Sequence, residues 1–291
     1  MVGSGLGMPG VHRLRRIVPW LLAILCCGPL WSQESGLTLE QLNHRAFRVS
    51  DGAPTLVQAL AQTRDGTLWV GGGTGLFRFD GTGFLRYPGA SDDPLPSMDV
   101  TALISSPDGG LWIGFRFGGI GLLHDGSVSR YGVHDGIPRG TVKSLAWDRE
   151  GALWVAATGG IARIRGAHVE QVSSDLFGAA NSAINSMAID RTGNVWISTN
   201  SAVVVRKLDE SKFHVAAASG NGHNGSGQEL AESPDGHVWF IESRSVTRLD
   251  ASTDPRRNRT FRLPEIFEAS AITLISDCVA TSPEIPCRIS W

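Results

Sequence analysis

The sequence predicts an all-β fold, and three features lead to this prediction. Five tryptophans recur in the same local frame, at nearly constant spacings of 43, 42, 42 and 43 residues. Each lies in an apolar run that follows a tight-turn sequence, and each unit contains four such short runs. A unit of about 42 residues with four strands is typical of one antiparallel blade, so the chain is predicted to be a β-propeller. The tryptophans are Trp69, Trp112, Trp154, Trp196 and Trp239.

The same order of strands repeats in every unit, and the first unit illustrates it. Its first strand is the alternating run VQALAQ from Val57, which an Asp-Gly turn follows. Glycine supplies the positive φ that such a hairpin turn needs. The tryptophan strand comes next, then LFRFD from Leu76 and FLRYP from Phe84. The fifth unit has a weaker first strand, GQELAE from Gly227, but the same four-stranded antiparallel blade is expected there.

The two ends of the repeat array predict an incomplete ring with five recognisable repeats and a partial blade. FRVSDGAP, residues 47–54, is similar to the inter-unit linker at 128–138, so an isolated outer strand is expected at the N-terminal side. AITLISD at Ala271 could start a sixth blade, but neither an Asp-Gly turn nor an LW strand follows it. We therefore expect an interrupted propeller, from a truncated or frame-shifted gene product. A closed five-blade ring is the alternative, and it would leave one of the two ends unused.

Residues 1–32 have the features of a secretory signal peptide. Arginines and a histidine at 12–16 precede an apolar stretch at 20–31, which is shorter than the roughly 20 residues that span a bilayer. A linker at 33–45, propeller repeats at 46–270 and an atypical tail or partial blade at 271–291 are expected to follow. A lipid anchor at Cys26 is not expected, because Leu25 stands where a lipobox needs a small residue. The mature protein is expected to be periplasmic or secreted.

Composition and cysteine usage exclude several classes of partner and cofactor. The net charge is −2 and only 19% of residues are charged, which argues against nucleic acid or an anionic membrane as partner. Cys278 and Cys287 could form a disulfide in an exported chain, or remain free thiols. The pair lacks the histidines of a metal site, and no cofactor is expected. The glycines at 71–73 precede no helix, so they are not expected to cradle a phosphate.

The strands that carry the tryptophans resemble a known family. DGTLWVGG, GLFRFDG and the DGIP linker are similar to the two-component regulator propeller repeat over roughly residues 46–265. The resemblance implies the periplasmic sensor region of bacterial, often hybrid, histidine kinases, in which the propeller senses a small molecule or glycan and a cytoplasmic kinase region responds. Units four and five keep the tryptophan but lose the glycines. The family's membrane helix and kinase do not occur in these 291 residues, so a non-enzymatic sensory module is expected.

Two other functional classes remain open at this point. SPDGHVWFIES at Ser233 is similar to the repeats of streptogramin-lyase-like propellers, although no consistent His-Glu set accompanies it. The chain could instead be a protein-interaction scaffold or a non-functional fragment.

The repeated residues have structural interpretations beside their functional ones. The tryptophans are expected to form the core between blades, and Asp65, Asp108 and Asp235 to cap the turns rather than bind metal. Glu150 and Thr192 replace the aspartate in the other two units, which a metal site would not readily allow.

Two sets of residues are candidates for ligand binding. Three arginines each follow a repeat tryptophan by nine residues, and they either bind an acidic ligand or glycan or lie on a solvated strand. The second set lies at FRFGG in unit two, where an insertion at a blade turn suggests a recognition loop. The candidates are Arg78, Arg163 and Arg248, and Phe115, Arg116 and Phe117.

Overall fold

The computed structural model describes residues 46–88, 95–117, 119–172, 183–218, 228–242, 245–252 and 254–262. Within these ranges the chain forms five four-stranded sheets, and in each of them the strands are antiparallel and adjacent in chain order. Each sheet corresponds to one of the five repeats. The predicted all-β propeller architecture is therefore confirmed.

The strands of each sheet, which we call a blade, are as follows. Blade 1 contains β1 (Val57–Gln62), β2 (Leu68–Gly72), β3 (Gly75–Phe79) and β4 (Phe84–Arg86). Blade 2 contains β5 (Val100–Ser105), β6 (Leu111–Phe115), β7 (Ile120–His124) and β8 (Ser127–Tyr131). Blade 3 contains β9 (Val142–Trp147), β10 (Leu153–Ala157), β11 (Gly160–Arg165) and β12 (His168–Val172). Blade 4 contains β13 (Ile184–Ile189), β14 (Val195–Thr199), β15 (Ala202–Arg206) and β16 (His214–Ala218). Blade 5 contains β17 (Glu229–Glu232), β18 (Val238–Glu242), β19 (Ser245–Leu249) and β20 (Arg259–Arg262).

Three short 3-10 helices complete the secondary structure of the described residues, at Val49–Asp51, Val133–Asp135 and Pro255–Arg257. No helix in this part of the chain has the length and apolarity needed to cross a bilayer.

The repeat tryptophans of blades 1 to 4 lie between neighbouring blades, as predicted, whereas Trp239 of blade 5 is half-buried. Trp196 of blade 4 is 1% exposed and belongs to the same apolar cluster as Leu230 and Phe240 of blade 5. Trp154 of blade 3 packs in the same way with residues of blade 4, including Met187. Burying a side chain of this size stabilises the fold by about 2 to 3 kcal/mol, and the contribution recurs along the array.

The glycines of the second strands make room for the following blade. A Cβ atom on Gly71 would lie 2.4 Å from Cγ1 of Val100, and one on Gly114 would lie 2.5 Å from Cγ1 of Val142. Both valines are the first residues of the next blade's first strand, and both are fully buried. Gly71 is thus required by inter-blade packing, which explains part of the GGG sequence without a phosphate.

The described blades do not close into a ring. The first strands pack consecutively, β1 on β5, β5 on β9, β9 on β13 and β13 on β17. Val57 begins blade 1 and is 50% exposed, whereas Val142 at the same position of blade 3 is 0% exposed. Ile241 of blade 5 occupies the position of Gly71 and Gly114, so blade 5 lacks the space that a first-strand valine enters. The incomplete ring is therefore confirmed, and blade 1 ends it on an uncovered edge.

The predicted outer strand at 47–54 is wrong. Residues 46–56 contain no strand; Val49–Asp51 forms a 3-10 helix that ends at Gly52 with φ 82°. The linker at Val133–Asp135 has the same form and ends at Gly136 with φ 95°, so the predicted similarity of the two segments is confirmed. The physical reason for the missing strand is that a strand needs a hydrogen-bonded neighbour, and no described strand pairs with this segment.

The N-terminal segment packs on blade 1 instead. The Phe47 ring lies 5.1 Å from the Phe79 ring and 5.5 Å from the Phe84 ring, both edge to face. Several sequence predictions fall outside the described residues: the signal peptide at 1–32, the linker at 33–45, the tail at 271–291 and the Cys278–Cys287 pair.

Candidate functional site

Each blade has two ends, and they carry different chemistry. At one end the first and second strands are joined by the tight turns of the repeat, and we call this the turn end. At the other end the first strands begin and the second and third strands are joined, and we call this the bulge end. The turns at the turn end are residues 63–67, 106–110, 148–152, 190–194 and 233–237.

The turn end is held by hydrogen bonds from the tryptophan indoles. In blades 3 and 4 the indole Nε1–H donates to a carboxylate six residues earlier, at 2.9 Å to Asp148 and 2.8 Å to Asp190. In blades 1 and 5 it donates to a hydroxyl at the same position, at 3.1 Å to Thr63 and 2.9 Å to Ser233. The indole nitrogen of Trp112 in blade 2 is buried, and no described residue accepts its hydrogen.

The aspartates at the turn end are structural, as predicted. Where the first turn residue is a hydroxyl, the carboxylate stands two residues later and accepts from that hydroxyl, as Asp65 does from Thr63 at 2.6 Å. Where the first turn residue is itself Asp, its carboxylate accepts directly from the indole, and the position two residues later does not need a carboxylate. This exchange explains why Glu150 and Thr192 occupy the aspartate position of blades 3 and 4.

The pKa directions of these carboxylates agree with the contacts. Burial alone would raise the pKa of Asp190, but hydrogen bonds from Thr192, Trp196 and Asn194 outweigh it and hold that pKa below its ordinary value. The hydrogen bond from Thr63 is the main cause that lowers the pKa of Asp65. A carboxylate that is already saturated by such donors has little capacity left for a ligand.

The three candidate arginines occupy equivalent positions but do not form one site. In the strand pairing Arg78 lies opposite Trp69, Arg163 opposite Trp154, and Arg248 opposite Trp239. They belong to blades 1, 3 and 5, so a blade without such an arginine separates each from the next.

Arg163 already has two anionic partners. Its Nε donates to Asp148 at 2.8 Å, and its Nη2 donates to Glu150 at 2.7 Å. Its guanidinium also lies 5.7 Å from the centre of the Trp154 ring. Binding of a ligand would have to compete with these bonds, whereas Arg78 is exposed and Arg248 is half-buried.

The phenylalanine–arginine segment of blade 2 is at the opposite end of the blades from these arginines. Phe115 was predicted to contact ligand, and this is wrong because the second strand continues through it and buries its ring completely. Arg116 is exposed and forms an ion pair with Asp99. Phe117 is 82% exposed in the turn that follows β6. Arg116 and Phe117 thus remain available at the bulge end.

The bulge end carries a set of residues that the sequence did not identify as candidates. In blades 1 to 4 the pairing of the first strand with the second is interrupted at the second residue of the first strand. A bulge turns a side chain out of the regular alternation, and bulges often lie beside functional sites. The bulge residues are Gln58, Thr101, Lys143 and Asn185, and Gln228 is the aligned residue of blade 5. A polar residue recurring at the start of an otherwise apolar strand was the available signal.

Three of these side chains belong to two separate hydrogen-bonded groups. Gln58 Nε2 donates to Asp99 Oδ1 at 3.0 Å, which joins the bulge of blade 1 to the residue that pairs with Arg116. Asn185 Nδ2 donates to Asn200 Oδ1 at 3.0 Å and also to Gln228, which in turn donates to Glu242 at 3.3 Å.

Besides Arg116, the bulge end contains the ammonium group of Lys143 and a carboxyl, that of Glu229, whose pKa is shifted. Lys143 is half-buried and makes no salt bridge with a described residue. Burial raises the pKa of Glu229, and the charge of Lys143 partly opposes this rise. Amide, hydroxyl, ammonium and carboxyl groups therefore lie on successive first strands. Among the described residues, no three His, Cys, Asp or Glu side chains are grouped so as to hold a metal ion.

Comparison with known proteins identifies a family model that matches one repeat and solved structures that share the fold. Residues 178–201, which include Trp196, match the family model of the two component regulator propeller. This unit lacks the glycines of the first two units but has the full set of Asp190 hydrogen bonds. No curated protein matches the chain.

Several solved structures are similar to the chain in fold. The extracellular domain of a hybrid two component system from Bacteroides thetaiotaomicron is 18% identical, with a TM-score of 0.54; the match covers 67% of this chain and 27% of that one. Virginiamycin B lyase from Staphylococcus aureus is 17% identical, with a TM-score of 0.56 and coverage of 72% and 71%. PorZ, a surface component of the type-IX secretion system of Porphyromonas gingivalis, is 14% identical, with a TM-score of 0.52 and coverage of 71% and 34%.

At these identities the similar structures show the fold alone. The chain spans about a quarter of the length of the hybrid-system domain. The repeat match and the five blades lead to one conclusion. The chain has a β-propeller fold, and its residues 178–201 match the two component regulator propeller model.

Proposed function

We propose that this chain is the exported, ligand-binding propeller of a two-component sensor, and that its bulge end binds a polar small molecule such as a saccharide. The observation that carries this proposal is the polar residue at the bulge position of the first strand in blades 1 to 4, together with the aligned Gln228 of blade 5. Packing alone does not require it, because in blades 1 to 4 the neighbouring positions of the same strands are small or apolar.

The chemistry of the bulge end suits a neutral polar ligand. The amide of Gln58 is exposed and offers donors and an acceptor, which matches a sugar hydroxyl that both donates and accepts. The carbonyl oxygen of Asn185 is a further acceptor, whereas Gln228 is buried and bonded to Asn185 and Glu242. The exposed ring of Phe117 provides an apolar surface at the same end of the blades, on which a sugar face can stack. Polar groups and an exposed aromatic ring at one end of the blades are the features expected of a saccharide site.

In this proposal the chain senses and does not catalyse. The signal peptide predicted at 1–32 would export it, and a cytoplasmic kinase region, as in the family it resembles, would respond to the bound ligand. The fold likeness to an extracellular domain of a hybrid two component system supports this context.

The experiment is a calorimetric titration of the full chain with neutral cello-, xylo-, manno- and galacto-oligosaccharides. We expect at least one of them to bind and to raise the melting temperature. In a Gln58→Ala, Lys143→Ala double variant we expect its affinity to fall at least tenfold, because both side chains reach solvent at the bulge end.

The matched control is Gln62→Ala, which removes the same side-chain type from the turn end of β1. It should bind like the unmodified chain. Absence of binding to every oligosaccharide, or equal binding by the double variant, would refute the proposal.

The second candidate is a lyase, supported by the fold likeness to virginiamycin B lyase. A histidine-to-alanine variant of that lyase is catalytically inactive. We expect quinupristin incubated with the chain to be unchanged by chromatography; its conversion would favour the lyase instead.

A further inference from the structure

A second polar feature lies at the turn end between blades 3 and 4, independent of the proposed bulge-end site. Arg206 is the last residue of β15, and its guanidinium lies 5.0 Å from the centre of the Trp154 ring and 5.8 Å from that of the Phe213 ring. Trp154 belongs to blade 3, so the arginine bridges the two blades. An arginine that packs on two aromatic rings is held in one orientation before any ligand arrives.

The guanidinium lacks the partners that a half-buried arginine normally has. Its Nε–H is buried and donates to no described residue, and no described carboxylate forms a salt bridge with it. Burial lowers the pKa of Arg206, and the charge of Arg163 lowers it further, while Asp148 and Glu150 oppose this. An arginine remains charged under these conditions, so the cost of its burial is only partly compensated within the described structure.

The carboxylates that act on Arg206 already have arginine partners. They are Asp148, which pairs with Arg163, and Glu150, which pairs with Arg163 and Arg165. Arg163 and Arg165 are paired with these carboxylates, which leaves Arg206 as the cation that can receive an anion.

We propose that Arg206 anchors a binding site for an oxyanion, the carboxylate or sulfate group of an acidic ligand, at the turn end between blades 3 and 4. The planar guanidinium offers paired N–H donors that match two oxygens of such a group. The rings of Trp154 and Phe213 fix its plane and exclude water from one side. The acidic group supplies the anionic partner that the described residues do not provide.

Sulfate alone is the first probe, titrated into the full chain by calorimetry and compared with sodium chloride at equal ionic strength. We expect saturable sulfate binding that chloride does not reproduce. Arg206→Gln should reduce the affinity at least tenfold. Arg206→Lys, which keeps the charge but loses the planar pair of donors, should reduce it by a smaller factor.

The control is Arg64→Gln, an exposed arginine in the turn at the turn end of blade 1, which should bind sulfate like the unmodified chain. Sulfated oligosaccharides and uronic-acid oligosaccharides then distinguish a sulfate group from a carboxylate group as the natural anion. Only the oligosaccharide that fits the site should bind more tightly than its isolated anion. Failure of the unmodified chain to bind sulfate, or equal binding by both Arg206 variants, would overturn the proposal. Neutral oligosaccharide binding at the bulge end is measured separately, so the two proposals fail independently.

Discussion

At the scale of single residues, the repeat is maintained by one carboxylate per blade that can occupy either of two positions. Asp190 accepts a hydrogen bond directly from the indole of Trp196. Asp65 accepts one from the hydroxyl of Thr63, which itself accepts from the indole of Trp69. The two arrangements satisfy the same indole and the same turn. A sequence comparison that looks for one invariant position therefore misses a group that every blade retains.

Removal of the Asp190 carboxylate should destabilise the fold strongly. The side chain is 7% exposed and accepts hydrogen bonds from Thr192, Asn194 and Trp196, at 2.6 to 3.0 Å. Asp190→Ala leaves the buried indole of Trp196 unpaired and removes the acceptor of Thr192 and Asn194, so the free energy of unfolding in urea should fall by about 2 to 4 kcal/mol. Asp209→Ala, an exposed aspartate in the same blade, should change it by less than about 0.5 kcal/mol. A similar loss in both variants would contradict the account.

The same carboxylates predict the direction of the pH dependence. The pKa values of Asp65, Asp108, Asp148, Asp190 and Asp235 are lowered in the folded chain, so the unfolded chain binds more protons at acidic pH. Their stabilisation is present above the unfolded value of about 3.9 and is lost as the pH falls through the folded values.

We therefore expect the free energy of unfolding to be nearly constant near neutral pH and to decrease below about pH 5. Glu229 has a raised pKa and the opposite sign, but it is one group against five. Urea denaturation from pH 7 to pH 3 measures this dependence, and Asp190→Ala should show a shallower decrease. Stability that increases toward pH 3 would be incompatible with the assigned contacts.

At the scale of strands, the period predicts the blades but not their register. The tryptophan spacing located all five second strands, and the predicted turns lie where the structure has them. The bulges, by contrast, depend on which backbone groups pair across two strands, and the sequence does not display this. Phe115 was assigned to a turn, whereas the backbone pairing with Val100 makes it the last residue of the second strand.

Contacts between blades add a steric requirement that the sequence only suggests. In blades 1 and 2 the second-strand residue that faces the first valine of the next blade is glycine. Ala156 and Ser198 occupy the same position in blades 3 and 4. Small side chains are thus kept at this position in each blade that is followed by another described blade.

Gly114→Ala tests this requirement. The added methyl group would lie 2.5 Å from Val142 Cγ1 and 3.0 Å from Ala102 Cβ, so overpacking should lower the free energy of unfolding by about 1 to 3 kcal/mol. The control is Gly132→Ala, at a position with φ −126° and no neighbour within 4 Å, which should be close to neutral. Combining Gly114→Ala with Val142→Ala should cost less than the sum of the two single changes. Strict additivity would mean that the two residues do not compete for space.

At the scale of the whole molecule, the structure is a series of blades that share one type of interface. Predicting the fold from the sequence succeeded because the interface recurs, so each copy reinforced the same pattern. The candidate site was predicted less well, because ligand contacts differ between blades and the repeat gives no information about such differences. Arg116 and Phe117 were predicted from an insertion, whereas the bulge residues and Arg206 became candidates only from the arrangement of neighbouring strands.

The central claim at this scale is that the blades form an open series whose first face is uncovered, and thiol labelling tests it most directly. Val57→Cys and Val142→Cys place a cysteine at the same position of blades 1 and 3, and labelling with a maleimide under native conditions can be quantified on the individual peptides by mass spectrometry. We expect rapid labelling at position 57, which is 50% exposed, and labelling at position 142, which is 0% exposed, only after unfolding. Equal protection of both cysteines would show that another blade covers blade 1, and would contradict the open ring.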